Sequence, residues 1–325
     1  MIQELLYAQG AKKLVEVNAQ VKAGEKVLIV ADYNMEKIAQ RVARAASACG
    51  AEVVLSFMAP REWDQQEPPS MLAAAMLEAD VVFTPVSVSI AWTNAITAAR
   101  KAGARSILMT AFNDDIFTTK ALIDTDFVER AKICEKLAEY YTPAETIRLT
   151  TPYGTDLTFT KKGRGTNLVT SIPKPGQTGS SPNIEINVVP TEGTTNGRLV
   201  VDGSIPYLGI GVLKEPIECT IKDGYVTEIK GGDVADLLNK DLASFNDKSV
   251  YAVAEFGVGL NPNAHLCGVM LEDEGVFGSV HVAIGTNIAL GGDNVSPIHY
   301  DFIVTDVTIA LDGKVIQKGK DFFFD

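Results

Sequence analysis

Short, nearly continuous apolar runs alternate with amphipathic stretches over the first 145 residues. EKVLIVAD (25–32), AEVVLSFM (51–58), DVVFTPV (80–86) and ARSILMT (104–110) have the apolar density of strands buried on both faces of a sheet. Helical patterns occupy 36–49, 68–79 and about 90–102, and a further one covers about 126–141. Strands separated by helices of about 10–15 residues predict βαβ units and a mostly parallel sheet. The opening MIQELLYAQGAKKL reads as an amphipathic helix.

From Thr146 onward the period shortens to two. IRLTTPYGTDLTFTKKGR alternates around Gly154 as a β-hairpin does, and residues 165–182 are rich in the Gly, Pro, Ser and Thr of a loop. Short β-like segments follow: IEINVVP, GRLVVDGS, ECTIKDGYVTEIKGG, YAVAEFGVG, GSVHVAIG, HYDFIVTDVTIAL and KVIQKG. One helical stretch near 233–244 interrupts them. The expected fold class is an α/β N-terminal domain with a mostly parallel sheet (1–145), followed by a β-rich α+β domain (146–325).

Composition narrows the function. The chain has 325 residues, 46% hydrophobic and 22% charged, which is ample for a buried core. A net charge of −12 argues against a nucleic-acid partner, because phosphate binding draws on clustered Lys and Arg. No apolar run approaches the roughly 18–20 residues that span a bilayer, so no membrane partner is expected. The start lacks the basic–apolar–small order of a secretory signal. Cys49, Cys134, Cys219 and Cys267 form no CxxC pair, which predicts reduced thiols and a cytoplasmic location. Neither GxGxxG nor GxxxxGK[ST] nor GxSxG occurs, so the N-terminal half reads as scaffold. Asp32, at the end of the first strand, reads as a helix cap.

The candidate chemistry lies in the β-rich half. HYDFIV puts His299 and Asp301 on one face of a strand, a pairing that suits a divalent metal. His281 in GSVHVAIG, Glu255 in YAVAEFGVG and Glu185 in NIEINVVP also stand in apolar β context. Taken singly, each has an ordinary reading, as a hydrogen-bonded core histidine or a solvent-facing glutamate. A buried carboxylate, however, is costly unless paired or bound to a metal. Together the five match a site for two divalent ions, with a bridging carboxylate and a metal-activated water. His265 reads as a surface histidine, Cys267 as an inert thiol, and Glu272, Asp273 and Glu274 as a solvated turn.

AEFGVGLNPNA, LEDEGVFGSVHVAIG and GGDNVSPIHYDF, with EKVLIVAD and TPYGTDLTF upstream, resemble the aminopeptidase T family of thermophilic, leucyl aminopeptidase-like metallopeptidases. The resemblance runs over nearly the whole chain and is strongest at 250–305. It implies a homodimer with a metal-binding C-terminal domain. Two ions (zinc, cobalt or manganese) would be held by Glu185, Glu255, His281, His299 and Asp301, with Glu192 an alternative to Glu185. The implied function is a metal-dependent hydrolase with Glu255 and His281 at its catalytic centre, releasing N-terminal residues from short peptides or cleaving a related C–N bond in a small molecule. One position departs from the family: its catalytic Tyr, seven residues after the first His, is Ile288 here. That phenol would be worth about 2–4 kcal/mol as an oxyanion-type donor. The chain is also similar to the 2,5-dihydroxypyridine dioxygenases, which use one Fe(II) and keep an HxD pair. This implies the alternative of a ring-cleaving dioxygenase acting on a dihydroxypyridine-like substrate. A metal-binding relative without catalysis is a third reading, resting on Ile288.

Overall fold

The computed structural model describes residues 2–324. The chain divides into two compact units, one comprising residues up to Ala131 plus Val169–Ile184, the other Lys132–Leu168 plus everything from Glu185. The change of texture at 145/146 is therefore not a single crossing point. Residues 132–145 group with the β-rich unit, where Tyr140 stacks on Phe324 at 5.0 Å. Residues 169–184 return to the α/β unit, because Thr178–Gly179 adds a parallel strand beside Arg105–Thr110.

The α/β unit contains a five-stranded parallel sheet. Its order is Glu52–Met58, Lys26–Asp32, Val81–Val86, Arg105–Thr110, Thr178–Gly179. Val81–Val86 is buried along its whole length, as its apolar run requires. Two of the intervening helices are shorter than their patterns suggest. The first begins at Ser70, since Pro68 and Pro69 hold the preceding backbone extended. The other begins at Asn94, where the Thr93 hydroxyl accepts the Ile96 N–H and caps the helix. Leu28, Val30, Met58, Val82 and Ile96 form the core beneath. Asp32 caps the turn after its strand, accepting the Asn34 N–H at 3.0 Å, and also takes both the N–H and the hydroxyl of Ser87.

The second unit has an eight-stranded antiparallel sheet and a five-stranded sheet ordered His299–Val304, Val280–Gly285, Val253–Gly259, Glu185–Val188, Asn167–Val169. Phe159 of the larger sheet packs on Phe256 of the smaller at 5.2 Å. Side chains alternate along a strand, so the smaller sheet gives one face to the core through residues such as Ile186, Phe256, Val282 and Phe302. Its other face carries the polar positions. None of the four cysteines is in a disulfide, and among the described residues no helix is long and apolar enough to cross a membrane.

Candidate metal centre

Four adjacent strands of the smaller sheet supply all five sequence-predicted ligands. In register, Glu185 lies opposite Gly259, Gly257 opposite His281, Gly285 opposite His299, and Ala283 opposite both Glu255 and Asp301. Directly opposed residues project from the same face, so polar side chains alternate there with glycine and alanine. The small residues make the room. A Cβ at Gly257 would lie 2.0 Å from His281 Nε2, because the imidazole lies across that backbone. A register shift between Val253 and Glu255 marks a bulge, a device that re-aims the side chain next to it.

Glu255 is the hub. Its Oε1 is 3.5 Å from His281 Nε2 and its Oε2 is 3.1 Å from His299 Nε2. His281 Nε2 is also 3.5 Å from Glu185 Oε2, and His299 Nε2 is 3.5 Å from Asp301 Oδ1. Two three-residue groups result, Glu185–Glu255–His281 and Glu255–His299–Asp301, each with its ligand atoms within 4.8 Å of one another. Glu185, Glu255, His281 and Asp301 are buried, whereas the His299 side chain is 28% exposed and marks the open side.

Outer partners orient these groups. Asn187 Nδ2 donates to Glu185 Oε1 at 2.8 Å, and Asn167 Nδ2 donates to Asn187 Oδ1 at 2.9 Å. His299 Nδ1 lies 2.7 Å from the Thr286 carbonyl oxygen. A carbonyl only accepts, so Nδ1 carries the proton and Nε2 is left as the ligand atom. Tyr207 donates its phenol to Asp301 Oδ2 at 2.5 Å. The inward atom, Asp301 Oδ1, is buried and accepts no hydrogen bond among the described residues, and His281 Nδ1 is likewise without a partner. A buried carboxylate oxygen left this way is unfavourable, and a divalent cation would satisfy it. The donor set of imidazoles and carboxylates fits such an ion.

Electrostatics agree. Burial alone would favour neutral His281, but Glu185 and Glu255 outweigh it and raise its pKa to about 9. Burial likewise opposes a charge on His299, and Asp301 and Glu255 raise its pKa well above the ordinary imidazole value. Glu255 and Asp301 are held low despite their burial by the same two histidines. Glu274 is pushed the other way, by burial first and then by Asp301 and Glu185. In the metal-free centre, protons on the imidazoles supply the positive charge, and metal binding would release them.

The raised His281 pKa predicts a stability profile. A histidine raised in the fold stabilises fully below its unfolded pKa of about 6.5 and loses that contribution as pH climbs to its folded value. Metal-free protein is therefore expected to melt at falling temperature between pH 6.5 and about 9. Glu274, also protonated longer in the fold, acts in the same direction. Calorimetry with and without saturating divalent metal checks this: the decline should vanish with metal, and a flat metal-free profile contradicts it.

The remaining sequence candidates lie elsewhere. Glu192 pairs with Arg164 at 2.5 Å and accepts from Asn287 and the Asp293 N–H, which together hold its pKa down to about 2 against the effect of burial; Glu185 is the glutamate at the centre. Ile288 is 49% exposed in the turn Ile288–Leu290. His265 is an exposed histidine, 2.7 Å from Glu272. The solvated turn expected at 272–274 is instead a buried one: Glu272 and Asp273 lie in the helix Met270–Asp273, with Asp273 accepting from Ser204 and from the N–H groups of Cys267 and Gly268. Its acidic letters hide donors that come from other segments. Asn187 was legible as a same-face neighbour of Glu185, two residues on. Tyr207 and Thr286 had no local signal.

A family model described as NicX, 2,5-dihydroxypyridine 5,6-dioxygenase, matches residues 11–322. The chain belongs to this family. A 2,5-dihydroxypyridine 5,6-dioxygenase of Pseudomonas putida KT2440 is 30% identical over 142 residues, 41% of this chain and 41% of that protein. Among solved structures, the 2,5-dihydroxypyridine dioxygenase of the same organism superposes with a TM-score of 0.84 at 19% identity, over 98% of this chain and 96% of that one. Wild-type AmpT from Thermus thermophilus superposes with a TM-score of 0.69 at 13% identity, over 99% of this chain and 100% of that one. At such identities both superpositions speak for the fold alone. The protein is thus an enzyme of the NicX dioxygenase family with an aminopeptidase T-like fold, and both its family and its residue groups imply a metal. The expected hydrolase reaction draws support from the fold only.

Proposed function

We propose that this NicX-family protein is an iron-dependent, ring-cleaving dioxygenase for a dihydroxylated nitrogen heteroaromatic related to 2,5-dihydroxypyridine. The observation that carries the reading is the family match over residues 11–322, which includes every residue of the centre. Glu255, His299 and Asp301 would hold the ion, one imidazole and two carboxylates, nitrogen and oxygen donors that iron accepts, with one histidine fewer than the common two-histidine, one-carboxylate triad. When bound, iron would supply the redox chemistry that brings O2 to an electron-rich ring, whereas a pair of Lewis-acidic ions would supply a water acidified toward neutrality. The chain's own residues do the rest. Burial of Glu255, His281 and Asp301 excludes bulk water, and half-exposed His299 faces the side from which a small molecule would arrive. Glu274 adds a carboxyl beside the centre whose pKa is raised by its burial and then by its acidic neighbours Asp301 and Glu185.

A second reading, a two-ion hydrolase, is favoured by one observation: the two Glu255 oxygens face different histidines, and Glu185 completes a second group. Ile288 weighs against it, since no phenol stands where the peptidases have one. Oxygen uptake with Fe(II) and a panel of dihydroxypyridines separates the two. The expected result is uptake matched to substrate loss with Fe(II) and none with Zn(II). Release of amino acids from peptide substrates with Zn(II) or Co(II), and no oxygen uptake, would overturn the proposal. A homodimer in a reducing cytoplasm is part of the same proposal.

A further inference from the structure

Irregular backbone beside the centre supplies a residue that no motif announced. After the strand Asn196–Val201, the chain follows the free edge of the strand His299–Val304. The Gly203 N–H donates to the Ile303 carbonyl at 3.0 Å, and Asp202 accepts the Thr305 N–H at 2.9 Å. A Cβ at position 203 would lie 2.7 Å from that same carbonyl oxygen, so this close approach requires glycine. The path carries Tyr207 around the strand edge. Its ring stacks on Tyr300 at 4.9 Å, and its hydroxyl reaches Asp301 Oδ2 at 2.5 Å. Tyr300 points away from the centre, with its own hydroxyl donating to Asp241 at 3.1 Å.

The two oxygens of Asp301 therefore differ. A carboxylate only accepts, so the phenol is the donor, and at this distance the bond is of the short, charge-assisted kind. Oδ2 is occupied by it. Oδ1 is buried, accepts no hydrogen bond among the described residues, and lies 3.5 Å from His299 Nε2.

We propose that Tyr207 is a positioning residue: its hydroxyl occupies Asp301 Oδ2, so that Asp301 presents only Oδ1 to the metal. This rests on the metal-centre reading above. A carboxylate confined to one oxygen fills one position at the ion and leaves room for substrate. Partners at this remove typically contribute about 10–100-fold to metal affinity.

The test is Tyr207→Phe, which keeps the ring and its stack but removes the donor. Co(II) serves as the probe, with affinity read by calorimetry and ligand geometry by the visible absorption of the Co(II) form. The expected result is binding about 10–100-fold weaker than wild type, with a displaced visible spectrum. The metal-free melting temperature reports whether the variant is folded. Tyr207→His restores an N–H donor at the edge and is expected to recover part of the affinity. A loss confined to Tyr207→His, with the ring-preserving Tyr207→Phe unaffected, would mean that Tyr207 acts by packing, which overturns the inference. So would a folded Tyr207→Phe protein with wild-type affinity and spectrum. Wild-type protein that binds no Co(II) overturns the metal-centre reading itself, a distinguishable failure.

Discussion

Glu255→Gln is expected to abolish tight metal binding while leaving the fold intact. Glutamine matches glutamate in volume, so the buried position stays filled. It removes the one charge common to both ligand groups and brings an amide NH2 toward an imidazole that Glu255 now faces at 3.1–3.5 Å. Removing one partner from a buried charge pair costs about 3–5 kcal/mol, which is roughly 10²–10³-fold or more in an equilibrium constant. The imidazoles should change with it: without Glu255, the His281 pKa falls from its metal-free value of about 9. Calorimetric metal titration and an NMR titration of the ring protons read both effects. A metal affinity within threefold of wild type would remove Glu255 from the hub. Variants outside the hub tell the two groups apart. If one iron occupies Glu255–His299–Asp301, Asp301→Asn loses it and Glu185→Gln largely keeps it.

Gly257→Ala, a change of one methyl group, is expected to disrupt the centre far more than its size suggests. The new Cβ would stand 2.0 Å from His281 Nε2 and 2.1 Å from Cε1. Its own backbone cannot yield, being paired with Asn187 on one side and His281 on the other. The imidazole must swing away, which separates it from Glu185 and Glu255 and forces new packing in a buried site. Overpacking of this kind costs about 1–3 kcal/mol, and here the second ligand group is lost as well. Thermal melting and metal content measured on the same sample decide it. Wild-type values for both would show that the ring position is not the constraint it is taken to be. Gly24, in an open turn, is a different case, since nothing lies within 4 Å of a Cβ there.

Much of this architecture was legible because burial on both faces and burial on one face leave different periods. Val81–Val86 and its neighbours read as strands from apolar density alone, and the helix at 36–49 from its 3.6-residue period. The residues of the candidate centre stood out for a related reason: a charged or imidazole side chain inside an apolar β run is an exception that needs a partner. His299 and Asp301, two apart on one strand, also showed that they share a face. Convergence was not legible. Nothing local says that the strand of Glu185 pairs with that of Glu255, nor that Gly257 sits under His281, because register is set by pairing across 70 residues in the first case and 24 in the second. Tyr207 was hidden for the same reason, lying in irregular backbone 94 residues before the carboxylate it holds. The excursion of 169–184 into the parallel sheet escaped notice because a two-residue strand has no period to read.

Metal content measured side by side for wild type and Glu255→Gln tests the central claim most directly. Both proteins would be stripped with chelator, reloaded anaerobically with Fe(II), desalted and analysed for iron per chain. Iron is expected to be retained by wild type near one ion per chain and absent from Glu255→Gln. Wild-type protein that retains no divalent ion, or a variant that retains as much as wild type, would contradict it.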